Sequence, residues 1–127
     1  MSEIKLILIR HGEAASAFGE SEDPSLSALG TKQSKKLVKD LNIDVLNKYK
    51  FFSSPKARAI QTAKPLVDIL KKDLIVKKEF SEIPAPKIDS KEKQRWLKNI
   101  MSLPIDKLPK DVNLWRQNLL KVMSSLE

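Results

Sequence analysis

The sequence has no cysteine and a single histidine in 127 residues. Without thiols there can be no disulfide framework and no thiolate metal site, and one imidazole supplies too few donors for structural zinc. Aromatic residues are scarce, with four Phe, two Trp and one Tyr, so the core must be mainly aliphatic. No stretch approaches the ~18 apolar residues of a membrane span. The run IKLILI, residues 4–9, is too short and too soon followed by charge to be a signal peptide. A cytoplasmic protein without a membrane partner is the expectation. Neither an internal repeat nor a low-complexity tract is visible.

What is present describes one soluble domain over residues 1–127, with 41% hydrophobic and 31% charged residues. A chain of this length buries roughly two-thirds of its unfolded surface. The net charge is +8, from 24 Lys+Arg against 16 Asp+Glu. The lysines are spread from Lys5 to Lys121 and do not alternate with aromatics. Nucleic acid is therefore not the expected partner. A lysine-rich solvated surface fits this charge, and so does a positive field that draws in a phosphorylated substrate.

Hydrophobic periodicity divides the chain into alternating elements. Residues 4–9 read as a buried strand. Residues 12–25 are loop-like, and Ser25 or Ser27 can cap a helix reaching about Leu41, with Leu26, Leu29, Leu37 and Leu41 on its inner face. A second strand is expected over 48–54. The next helix has Pro55 near its start and Pro65 as a kink, with Ile60, Ala63, Val67 and Leu70 inward. A third strand covers 74–80. Residues 90–102 read as a helix with Trp96, Leu97, Ile100 and Met101 on one side, and Asp111 is placed to cap a last helix carrying Val112, Trp115, Leu119, Val122 and Leu126. The order implies an α/β fold, three-layered, with a largely parallel sheet.

In open parallel sheets, ligands bind beyond the carboxyl ends of the strands. Arg10 and His11 follow the first expected strand, Ser53, Ser54 and Arg58 the second, and Glu82 the third. These side chains suit phosphoryl transfer. Neutral imidazole attacks phosphorus, guanidinium grips phosphoryl oxygens bidentately, and a carboxylic acid protonates the departing oxygen. Gly12 would let backbone approach an anion. Each residue also has an ordinary reading. A lone histidine is commonly a surface or satisfied core residue, Arg58 an exposed helix arginine, Glu82 a solvated loop residue, and Ser53 and Ser54 an N-cap. Order and spacing together carry the case.

LIRHGEA resembles the signature of the histidine phosphatase superfamily, which includes the cofactor-dependent phosphoglycerate mutases. DPSLSALGTKQSKKL is similar to its following Leu-Ser/Thr-x-x-Gly-x-x-Gln segment. FFSSPKARAIQTAKPL is similar to its Ser-Ser-Pro-x-x-Arg-Ala-x-Gln-Thr-Ala motif, and FSEIPAP lies where the family places an acidic residue. The resemblance runs from Ile4 to about Ile83. It implies a phosphoglycerate mutase-like fold, with His11 as the nucleophile that becomes phosphohistidine, its other ring nitrogen held by a backbone carbonyl. Arg10 and Arg58 would clamp the phosphate, and Glu82 would be the proton donor. No cofactor and no metal are implied.

The sequence departs from the family pattern in two places. Ala17 stands where many members carry a phosphate-binding asparagine, leaving that contact missing or supplied by Ser16. The family's second catalytic histidine, from a strand near its C-terminal end, has no counterpart among these residues. A domain incomplete at its C-terminus is the expectation, and with it an open sheet edge that a second copy would cover as a homodimer. The implied activity is phosphomonoester hydrolysis on a small phosphorylated metabolite. The alternatives are a phosphohistidine protein phosphatase and an inactive phosphate-binding module.

Overall fold

The computed structural model describes residues 3–17 and 20–126. Residues Arg10–Ala17 and Ser21–Ser81 make one compact unit, and residues 3–9, 20 and 82–126 make a second.

In the first unit, α1 (Ala28–Asp40) starts at Ser27, whose hydroxyl accepts the Gly30 N–H. Ser27, rather than Ser25, is thus the cap. The buried residues of α1 are the small Gly30 and Ser34, while Leu29, expected on the inner face, is 53% exposed. A four-residue helix, α2 (Ile43–Leu46), follows with Asn42 as its cap. It is too short to show a period of its own.

β1 (Phe51–Ser53) leads into α3 (Ala57–Leu70). No side chain of the N-cap residue, Lys56, caps this helix. The Ala57 N–H donates instead to Asp23 Oδ1 at 2.8 Å, so the preceding loop closes the helix end. α3 runs through Pro65, which deletes the N–H that would otherwise reach the Gln61 carbonyl. It ends on Lys71 in the left-handed conformation, φ 53°. β2 (Leu74–Val76) then pairs parallel to β1, with Phe51 opposite Leu74 and Ser53 opposite Val76. α3 is the crossover that a parallel pair requires.

A 3-10 turn over Lys78–Phe80 brings the Phe80 ring edge-on to Phe52, centroids 6.1 Å apart. The strands expected over 48–54 and 74–80 are therefore three residues each. Leu46, Leu66 and Val67 form the buried apolar centre, and α1 packs chiefly against α3.

The second unit contains α4 (Ser90–Ser102) and α5 (Lys110–Ser124). Asp89 caps α4 by accepting the Glu92 N–H at 2.8 Å. Pro109, not Asp111, is the N-cap of α5. Asp111 lies in the first turn and accepts the Val112 N–H. Ile100 and Val112 are buried, whereas Met101, expected inside, is 78% exposed.

Residues 4–9 do not form the expected strand. They have no regular secondary structure, and Leu8 is 84% exposed. A strand exists only through its ladder. Among the described residues both strands belong to the other unit. An apolar run sets a preference for burial but does not supply the edge to pair with. The architecture is α/β, a mixture of helices with a small parallel sheet. Among the described residues no helix is long and apolar enough to cross a membrane.

Candidate active site

The half-buried ring of His11 has its Nδ1 2.7 Å from the carbonyl oxygen of Gly12. A carbonyl can only accept, so Nδ1–H donates, and in the neutral ring the lone pair belongs to Nε2. The tautomer that exposes a nucleophilic nitrogen at Nε2 is therefore set by backbone.

Gly12 is in turn held from two sides. Its N–H donates to Thr62 Oγ1 at 2.9 Å, and that hydroxyl donates to the Arg58 carbonyl at 2.7 Å. Thr62 and Arg58 are both buried, each 5% exposed. Without the hydroxyl, the buried Gly12 N–H would lose its partner, at a cost of ~1–3 kcal/mol. On the other side lies α1. A Cβ on Gly12 would come 2.7 Å from the Gly30 oxygen, and one on Gly30 would collide with the Glu13 oxygen. Two bare backbones touch there. The amide of Gly12 is thus taken by Thr62, and its Cα lies against the Gly30 backbone.

Further bonds seat the loop on both helices. The Glu13 N–H donates to Gln33 Oε1 at 2.8 Å, and Ser27 Oγ donates to Glu13 Oε2 at 2.8 Å. The Ser27 N–H donates to the Glu13 carbonyl, the Ala15 N–H to that of Ser25, and Ala14 and Leu26 form an isolated antiparallel bridge. The Leu26 N–H donates to Gln61 Oε1 at 2.8 Å. Ser27, Gly30, Gln33, Gln61 and Thr62 thus form the frame around the histidine loop. All five stand at fixed positions of the two motif segments that carry the family resemblance, LSALGTKQ and SSPKARAIQTA, although apart from the capping capacity of Ser27 their chemistry alone gives them no role there. Their signal is the repeated three- and four-residue spacing of Ser27, Gly30 and Gln33 and of Arg58 and Thr62, which puts polar and small residues on helix faces turned toward the loop.

The remaining candidates fall in three places. Arg10 and Ser16 are on the histidine loop itself, Arg10 exposed and Ser16 half-buried. The hydroxyl of Ser53 donates to the Ser54 carbonyl, and Ser54 Oγ accepts the Lys56 N–H, so both serines shape the turn into α3. Glu82, exposed, opens the 82–126 stretch of the other unit. Among the described residues no group of three or more His, Asp or Glu could hold a metal ion.

The arrangement offers a nitrogen nucleophile of fixed tautomer, on a loop joined by one hydroxyl to the helix turn that carries a guanidinium. The fold resembles that of TTHB049 from Thermus thermophilus, at 20% identity and a TM-score of 0.59, over 93% of this chain and 70% of that one. It also resembles Mycobacterial hydrolase 1, at 17% identity and a TM-score of 0.62, over 91% of this chain and 62% of that one. The chain thus spans about two-thirds of the length of these structures. No curated protein matches it in sequence. The family description "Histidine phosphatase superfamily (branch 1)" matches residues 6–113, a span holding the histidine loop, both strands and the Arg58 turn. The chain belongs to that superfamily.

Proposed function

We propose that this protein is a phosphomonoester hydrolase acting through a phosphohistidine at His11, on a small phosphorylated metabolite in the cytoplasm. The observation that carries the reading is the His11 Nδ1–Gly12 carbonyl bond, which leaves the lone pair on Nε2. In the first step the Nε2 lone pair attacks phosphorus and an N–P bond forms. The ester P–O bond breaks, and the leaving oxygen takes a proton from Glu82. In the second step Glu82 accepts a proton from water, whose oxygen attacks phosphorus. The N–P bond then breaks and inorganic phosphate leaves.

Arg10, Arg58 and Ser16 hold the phosphoryl oxygens, with the two guanidinium groups balancing charge in the transition state. The net charge of +8 favours an anionic substrate. The chemistry is that of the imidazole and calls for no cofactor or metal. Hydrolysis is favoured over mutase chemistry because a mutase must hold a bisphosphate and exclude water, and residues 83–110 offer little chain for that. The description of one structural neighbour as a hydrolase agrees with this choice.

Hydrolysis of p-nitrophenyl phosphate, compared with that of a phosphohistidine-bearing protein, tests the reading. The wild type should turn over the small ester and His11→Ala should not. Binding of phosphate or vanadate without turnover would reduce the site to an anion pocket. Preference for the protein would change the substrate class.

A further inference from the structure

We propose that Thr62 is a positioning residue of this site, its hydroxyl fixing the His11 ring and the Arg58 turn of α3 in one geometry. The proposal rests on His11 being the nucleophile. Three bonds run in series. The His11 ring donates to the Gly12 carbonyl at 2.7 Å, the Gly12 N–H donates to Thr62 Oγ1 at 2.9 Å, and Oγ1 donates to the Arg58 carbonyl at 2.7 Å. The proton direction is fixed throughout, because an amide N–H can only donate and a carbonyl can only accept.

A threonine that bonds the carbonyl four residues back is common in helices, and that half alone signals nothing. The other half is long-range, since Thr62 accepts from a residue 50 positions away, with both partners buried. Gly12 has no side chain to anchor it. The Gly12 carbonyl, acceptor of the imidazole, shares its peptide plane with the Glu13 N–H that Gln33 holds, while the preceding plane, which carries the Gly12 N–H, is set by this hydroxyl, with the Gly30 contact between the two. The same hydroxyl oxygen holds the Arg58 backbone, so a shift at Thr62 moves nucleophile and guanidinium relative to each other. Reactive geometry of this kind tolerates little displacement. An error of about 1 Å costs roughly a hundredfold in rate.

Thr62→Val keeps the shape and removes the hydroxyl, while Thr62→Ser keeps the hydroxyl. Valine should lower kcat for p-nitrophenyl phosphate by roughly ten- to a hundredfold, with KM little changed, and serine should restore most of the loss. A second readout needs no turnover. The chain has one histidine, so the ring spectrum of protein made with isotope-labelled histidine reports His11 alone. The neutral ring should carry its proton on Nδ1 in the wild type and in Thr62→Ser, and should show mixed tautomers in Thr62→Val. If the protein hydrolyses nothing, the catalytic reading fails and the spectrum still decides the role of Thr62. A wild-type tautomer in Thr62→Val would overturn the proposal, as would equal losses in the Val and Ser variants. Should Thr62→Val not fold, hydrogen exchange of the wild-type Gly12 amide decides. Slow exchange is expected, and exchange as fast as an exposed loop amide contradicts the bond.

Discussion

Arg58 lies at 5% exposure in the first turn of α3, where an amphipathic reading places solvent-facing residues. Its planar fork can bind two phosphoryl oxygens at once, whereas lysine keeps the charge and loses the fork. Arg58→Lys should therefore resemble Arg58→Ala, with kcat/KM for p-nitrophenyl phosphate down by ~10²–10³-fold. Wild-type activity in the lysine variant would show that charge alone suffices. His11, Arg10 and Arg58 are visible in the sequence because their chemistry is scarce and their spacing distinctive. Thr62 stands in the same motif as Arg58, but its role is not legible there. Its hydroxyl works only in a fold that brings Gly12 to it, and hydrophobic periodicity counts a helix threonine as surface.

At the scale of elements, α1 shows where pattern and structure part. Its leucines suggest an apolar stripe, but the buried positions are Gly30 and Ser34, and at Gly30 the Gly12–Glu13 backbone comes too close for a larger side chain. This reverses the usual sign of one substitution. Alanine in a helix interior is normally more stable than glycine by about 1 kcal/mol. In Gly30→Ala the new Cβ collides with the Glu13 oxygen, so backbone must move and the variant should lose about 1–3 kcal/mol. Urea unfolding measures this directly, and a gain in stability would mean that the loop is not seated on α1. The long helices α3, α4 and α5 were legible because several turns of spacing average out local exceptions. The strands were legible in position but too long in extent, since an apolar run does not record where its hydrogen-bond partner stops. Residues 4–9 are the extreme case, with strand composition and no ladder.

For the whole molecule, that same segment is the conspicuous apolar surface. Ile4 is 51% exposed, Leu6 47% and Leu8 84%. Contiguous exposed apolar surface favours association, and a second copy of the chain is the proposed partner. Light scattering across a concentration series should show mass rising toward a dimer, and Leu8→Lys should hold the chain monomeric. A monomer at every concentration would contradict the proposal. The family membership, the parallel β1–α3–β2 unit and the fixed tautomer of His11 all bear on one claim, that phosphoryl groups pass through Nε2 of this histidine. The most direct measurement is rapid quenching of the wild-type protein with a radiolabelled phosphomonoester, followed by locating the label by mass spectrometry and phosphorus NMR. The account predicts acid-labile, alkali-stable phosphate on Nε2 of His11 and none on His11→Ala. Label on Nδ1, on another residue, or retained by His11→Ala would contradict it.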